Sequence, residues 1–109
     1  MTYEDVAEMI DSVGIPSAYY QFPNDTQQAP PFICFYYPGN DDLFADNKNY
    51  QKIEGLTIEL YTDEKDFDLE QQLESALTAA GLAFSRMESY IDTERMHMTT
   101  YMTEVVING

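Results

Sequence analysis

Pro38-Gly39-Asn40-Asp41-Asp42-Leu43-Phe44-Ala45-Asp46-Asn47 is followed by Tyr50-Gln51-Lys52-Ile53, by Leu56-Thr57-Ile58-Glu59-Leu60-Tyr61-Thr62 and by Asp63-Glu64-Lys65-Asp66-Phe67-Asp68-Leu69-Glu70. In that order the residues spell a turn, a long polar loop, a strand, an acidic corner and a helix. Pro38 and Gly39 turn the chain, with Gly39 free to take positive φ. From Gln51 to Thr62 the pattern is extended: Leu56, Ile58 and Leu60 share one face, Thr57, Glu59 and Tyr61 the other, so one side is buried. Asp66 or Asp68 caps the helix that follows, over about residues 67–80. Leu69, Leu73, Ala76, Leu77 and Ala80 give it a narrow apolar stripe, and Gly81 stops it.

Upstream, Thr2 with Asp5 three residues on forms a capping-box-like start. Tyr3, Val6, Ala7, Ile10 and Val13 recur at helical spacing until Gly14 and Pro16, which predicts a helix over about 3–13. A short strand is expected within 18–22, then a loop through Pro30-Pro31. Phe32-Ile33-Cys34-Phe35-Tyr36-Tyr37, bounded by prolines, reads as a strand buried on both faces. Downstream, 83–91 and 95–107 read as two strands around Asp92-Thr93-Glu94. The last is long against the usual ~5 to 6 residues, so part of it is expected to extend beyond the sheet. Strands joined by short turns make an antiparallel sheet, and two helices with one apolar face each must cover it. The expected fold is α+β, one domain over 1–109, in the order α-β-β-β-α-β-β.

The chain is 109 residues long, which suits one core. No apolar run approaches the roughly 18 to 20 residues that cross a bilayer, and the N-terminal stretch has neither the basic nor the apolar region of a targeting signal. The expectation is a protein without a membrane partner, kept in the cytoplasm or built into a particle assembled there. Cys34, the single cysteine, permits no internal disulfide. Twenty acidic against five basic residues give a formal net charge of −15. Such a surface repels phosphate backbones, which argues against tight nucleic-acid binding.

Catalytic chemistry finds little support. His97 is the only histidine, and a lone histidine in a strand most often packs or faces solvent. Cys34 sits in an apolar run, where a thiol behaves as a small hydrophobe. Asp41, Asp42 and Asp46, and Asp63, Glu64, Asp66, Asp68 and Glu70, offer oxygen ligands, but neither cluster has the spacing of a calcium loop. Carboxylates in a first helical turn cap amides and complement the dipole instead. No catalytic, cofactor or metal residues are therefore assigned. Met87, Met96, Met98 and Met102 form a flexible apolar set suited to core filling, the default reading, or to an adaptable contact surface. The last strand presents two faces, Met96-Met98-Thr100-Met102 and His97-Thr99-Tyr101-Thr103, and two helices can cover only one. The other face needs water or a partner. The polar stretch from Gly39 to Asn49 is the second place for a contact, since a long loop in a compact domain usually serves a function. The candidate protein-contact residues are Asp41, Asp42, Leu43, Phe44, Asp46, Asn47, Met96, Met98 and Tyr101.

The order and spacing of these segments, from the first helix through Pro31–Pro38 to the closing strands, resemble the small tail-terminator or tail-completion proteins of tailed bacteriophages and prophages. The resemblance implies a small α+β structural protein that forms a ring of six on the last ring of the tail tube, and repulsion between such acidic subunits predicts a monomer when dilute. It halts tube growth and offers a docking face to the head–tail connector or stopper protein, first in the host cytoplasm and then in the tail or neck of the virion. The major tail-tube protein is the other implied partner. An acidic lumen would let DNA pass without sticking. Two alternatives remain open: a head-completion or stopper protein of the neck, and, from a different class, an acidic DNA-mimic inhibitor of a nucleic-acid-binding enzyme.

Overall fold

The computed structural model describes residues 1–22, 28–41, 43–45 and 48–108. Helix α1 (Tyr3–Asp11) and strands β1 (Ser17–Tyr19), β2 (Phe32–Tyr36), β3 (Leu43–Ala45) and β4 (Lys48–Thr62) precede helix α2 (Phe67–Ala79), and β5 (Phe84–Ile91) and β6 (Met96–Ile107) follow it. Apart from the short β3, this is the order expected from sequence.

Local signals explain the helices. The Thr2 side chain accepts from the Asp5 amide (3.1 Å), and the Asp5 carboxylate accepts from the Thr2 amide (2.9 Å), closing the capping box. Asp66, of the two candidates, caps α2 by accepting from the Leu69 amide (3.0 Å). At the other end of α2, Gly81 takes φ +78°. Its N–H donates to Thr78 (3.0 Å) while that of Leu82 reaches Leu77 (3.0 Å), so two carbonyls the helix would orphan are satisfied.

The strands form one sheet in the order β1-β2-β4-β6-β5, with β3 paired to β4 alone. Every pairing is antiparallel except β1 with β2, which is parallel. The chain from Tyr20 to Pro31 is long enough to carry it back to the same end before β2 begins, which a short turn could not do. One layer of helices covers one sheet face. Val6 and Ile10 of α1 and Leu69, Leu73 and Leu77 of α2 pack on Ile33, Phe35, Leu56, Ile58, Leu60, Tyr101, Val105 and Ile107. The register places these strand residues in rows: Phe35, Ile58 and Tyr101 lie side by side, as do Ile33, Leu60 and Thr99.

Two expectations need correction. The described residues between 39 and 49 do not form a free loop. Gly55 N–H donates to Gly39 (2.8 Å), Asp41 N–H to Ile53 (2.8 Å), Asn40 bridges Glu54, and β3 then pairs with β4. Beyond Pro38 the β2–β4 hairpin thus continues as a narrower ladder. A Cβ on Gly55 would meet the Gly39 carbonyl oxygen at 3.0 Å, so the close approach depends on glycine. Because β6 ends opposite Lys52, β3 and the first four residues of β4 project past it as a two-stranded arm. Nor does β6 extend beyond the sheet: each of its residues pairs with β4, β5 or both.

Repulsion within so acidic a chain opposes compactness. We expect the melting temperature to rise by several degrees between about 0.01 and 0.15 M salt, as the Debye length shrinks from about 30 to about 8 Å. A melting temperature that falls with salt in calorimetry would mean that the ion pairs described next outweigh the repulsion.

Candidate functional site

On the sheet face away from the helices the register builds three rows. These are Tyr36, Thr57, Met102 and Ser85; Cys34, Glu59, Thr100 and Met87; and Phe32, Tyr61, Met98 and Ser89. The β2 side of this face is covered locally. The Tyr20 ring lies 5.2 Å from that of Tyr36, and Phe22 meets Phe32 edge-on at 5.5 Å, so Phe32 and Cys34 are buried. The β6–β5 side is open: Met87 is 61% exposed, Val106 41% and Met102 38%. Between the two sides runs a groove of about 740 Å³ lined by Tyr20, Phe22, Phe32, Cys34, Tyr61 and Met96, among others.

Glu59 stands in the middle of this face and accepts from the hydroxyls of Tyr61 (2.9 Å) and Tyr36 (3.5 Å). Burial and then this carboxylate push both phenols above the ordinary tyrosine range. The same two causes raise the Cys34 thiol, which keeps it protonated and a poor nucleophile. Strand β5 ends the sheet order and is exposed along most of both faces. Its outer backbone groups are available to a further strand, with Arg86 and Glu88 as the charges along it.

Where α2 meets β5, a network of charges takes up side chains that the sequence leaves unassigned. Glu70 is only 3% exposed, yet it pairs with Lys65 (2.8 Å) and Arg86 (3.8 Å). Arg86 also binds Glu74 (2.9 Å), Lys65 also binds Glu88 (3.2 Å), and the Tyr101 hydroxyl donates to Glu74 (2.8 Å). Hydrogen bonds to Glu74 and Glu70 raise Arg86 and Lys65 respectively. Sequence reasoning has Glu70 capping amides and complementing the dipole in a first helical turn. Only the counter-charges brought in from either side allow it to be buried. Every member of this network is occupied by another, so it serves to dock α2 on the sheet.

Of the predicted contact residues, Asp41 is exposed and held by its backbone. Leu43 and Phe44 lie in β3 on the arm, and Asp42, Asp46 and Asn47 lie outside the described residues. Met96 and Met98 are half-buried on the open face. Tyr101 is corrected. It points into the helix-covered face, is fully buried and is tied to Glu74, so it is a core residue and not a surface contact. The more exposed apolar side chains on that face are Met87, Met102 and Val106. The two methionines belong to the set noted in the sequence, but only the pairing register brings them together. His97 packs edge-on against Tyr90 at 5.1 Å. Among the described residues no three His, Cys, Asp or Glu side chains converge as a metal site, and no helix is long and apolar enough to cross a membrane.

No protein-family profile matches the chain, and no curated protein sequence does. Among solved structures, the fold is similar to a chain of the virion of a native gene transfer agent particle. The two superpose with a TM-score of 0.58 at 15% identity, over 92% of this chain and 84% of that one.

Proposed function

We propose that this protein is a structural subunit of a tailed-phage-like particle, and that it caps the head-proximal end of the tail tube as a ring of six, stopping tube growth and enabling heads and tails to join. The observation that carries this reading is the fold shared with a gene transfer agent virion chain over nearly the full length of both. The surfaces are consistent with it: an open methionine-bearing sheet face, a free β5 edge and a two-stranded arm each offer a contact to a neighbour. The protein acts as a scaffold without catalysis, with the tail-tube protein on one side and the connector or stopper on the other. A net charge of −15 keeps it from gripping DNA that passes.

The test is deletion of the gene in cells that produce the particle. Filled heads and separate tails of abnormal length should accumulate. Heads and tails that join normally without the protein reject the proposal. A Met87→Glu, Met102→Glu double variant should weaken joining while changing stability by no more than about 0.5 kcal/mol per site, because both side chains face solvent in the isolated subunit. Recovery of the protein on tails made in the absence of heads separates this role from that of a neck stopper, which would be recovered on heads. A DNA mimic is disfavoured by the use of its carboxylates: Asp5 and Asp66 cap helices, and Glu70, Glu74 and Glu88 are in ion pairs. Lowered DNA affinity of a nucleic-acid-binding enzyme on adding the protein would favour the mimic instead.

A further inference from the structure

On the helix-covered side, where α1 meets the edge formed by β1 and β2, a pocket of about 530 Å³ is lined by Tyr3, Ala7, Tyr19, Phe35, Tyr37 and Glu54. Its walls are aromatic rings set at angles to one another. Tyr3 meets Tyr37 edge-on at 5.2 Å, Tyr19 meets Phe35 edge-on at 5.5 Å, and Tyr19 lies 5.9 Å from Tyr37. Tyr3 and Tyr19 are 40% and 54% exposed, so the pocket opens to solvent. Glu54 is the one charged residue in the lining, and it forms no ion pair among the described residues. The Tyr37 hydroxyl is buried and has no hydrogen-bond partner among them.

Electrostatics make the pocket a place for a cation. Burial, and then the phenols of Tyr3 and Tyr19 and the Glu54 carboxylate, push the Tyr37 hydroxyl up to about 12. Burial disfavours charge of either sign, so the attraction for a cation rests on the Glu54 carboxylate and on the faces of the rings. Lys52, which is not part of the lining, places its Nζ 5.4 Å from the centre of the Tyr3 ring, so that ring already faces one cation.

We propose that this pocket binds an arginine side chain presented by a protein partner, its guanidinium lying against the tyrosine rings and donating hydrogen bonds to the Glu54 carboxylate. Arginine suits the site better than lysine because its planar fork stacks on rings and donates to both oxygens of a carboxylate at once, while an ammonium is compact and strongly hydrated. The net charge of −15 selects for a basic partner surface and steers it in. The chemistry of the pocket is independent of the role in a particle, and it is tested on the isolated full chain.

The experiment is a nuclear magnetic resonance titration, at constant ionic strength, with a blocked Gly-Arg-Gly peptide and with the same peptide carrying citrulline, which has the shape of arginine without its charge. The arginine peptide should shift the ring resonances of Tyr3, Tyr19 and Tyr37 saturably, and the citrulline peptide should bind about tenfold more weakly or less. Glu54→Gln should weaken arginine binding about tenfold, and Tyr19→Leu several-fold through the lost ring face, with the melting temperature of each variant confirming that it is folded. Equal affinity for the two peptides, shifts spread over the acidic surface with none concentrated on these rings, or an affinity that neither variant changes overturns the proposal.

Discussion

Leu73→Ala is expected to lower the unfolding free energy by about 2–5 kcal/mol, a large share of the ~5–15 kcal/mol that holds a domain of this size. Leu73 has no exposed surface and sits at the centre of the single helix layer, with Leu69 one turn before it and Leu77 one turn after. Beneath it lie strand residues that cannot collapse into the space it vacates, because β4 and β6 are held by eleven consecutive register pairs from Lys52–Ile107 to Thr62–His97. The cost therefore combines lost transfer energy with a retained cavity. Urea unfolding should show a reduced midpoint with an unchanged slope. Gln72→Ala, one residue earlier on the solvent side, should stay within about 0.5 kcal/mol. Equal costs for the two would mean that α2 does not hold the sheet.

Alkaline unfolding should be cooperative and should begin near pH 10. The phenols of Tyr36, Tyr37, Tyr61 and Tyr101 are all raised, in each case first by burial, with Glu59 adding to Tyr36 and Tyr61, and Glu74 adding to Tyr101. Below the unfolded value of about 10 the folded and unfolded chains carry the same protons on these groups, and the full stability is present. Above it the unfolded chain releases protons that the folded chain keeps, so stability falls as pH rises. The loss continues through about 12 for Tyr37 and beyond for Tyr61 and Tyr101. The loss reaches about 1.4 kcal/mol per pH unit for the fully buried Tyr101 and is smaller for the partly exposed others. Phenolate absorbance and circular dichroism followed together should show three of the nine tyrosines, Tyr37, Tyr61 and Tyr101, ionising only as the structure is lost. Tyr101→Phe should make the alkaline limb shallower while costing about 1–2 kcal/mol at neutral pH, through the lost hydrogen bond to Glu74. Ionisation of all nine near pH 10 with the dichroism intact would contradict the burial described.

Both helices and four of the six strands are legible in the sequence with boundaries close to those observed, because their signals are local. Thr2 and Asp5, Asp66, and Gly81 mark helix ends through hydrogen bonds to residues within a turn. The arm was not legible. A ladder of backbone hydrogen bonds is indifferent to whether Asn40 and Asp41 carry polar side chains, so a ladder and a loop look alike in composition. The contact surface was legible only in part. Alternation in β6 announces two faces, but both carry large side chains, and neither period nor hydrophobicity says which of them the helices take.

By itself the sequence determined an acidic α+β chain with two capped helices, a doubly buried strand at 32–36 and a sheet with more face than its helices can cover. Those features follow from composition, period and residues a few positions apart. The tertiary structure alone decided that Tyr101 turns inward and Met102 outward, and that Glu70 is buried between Lys65 and Arg86. It also brought Tyr3, Tyr19, Tyr37 and Glu54 to one pocket from four separate segments. Each of these depends on strand register and helix placement, which are set by the fit of distant side chains in a common core and not by any residue's neighbours along the chain.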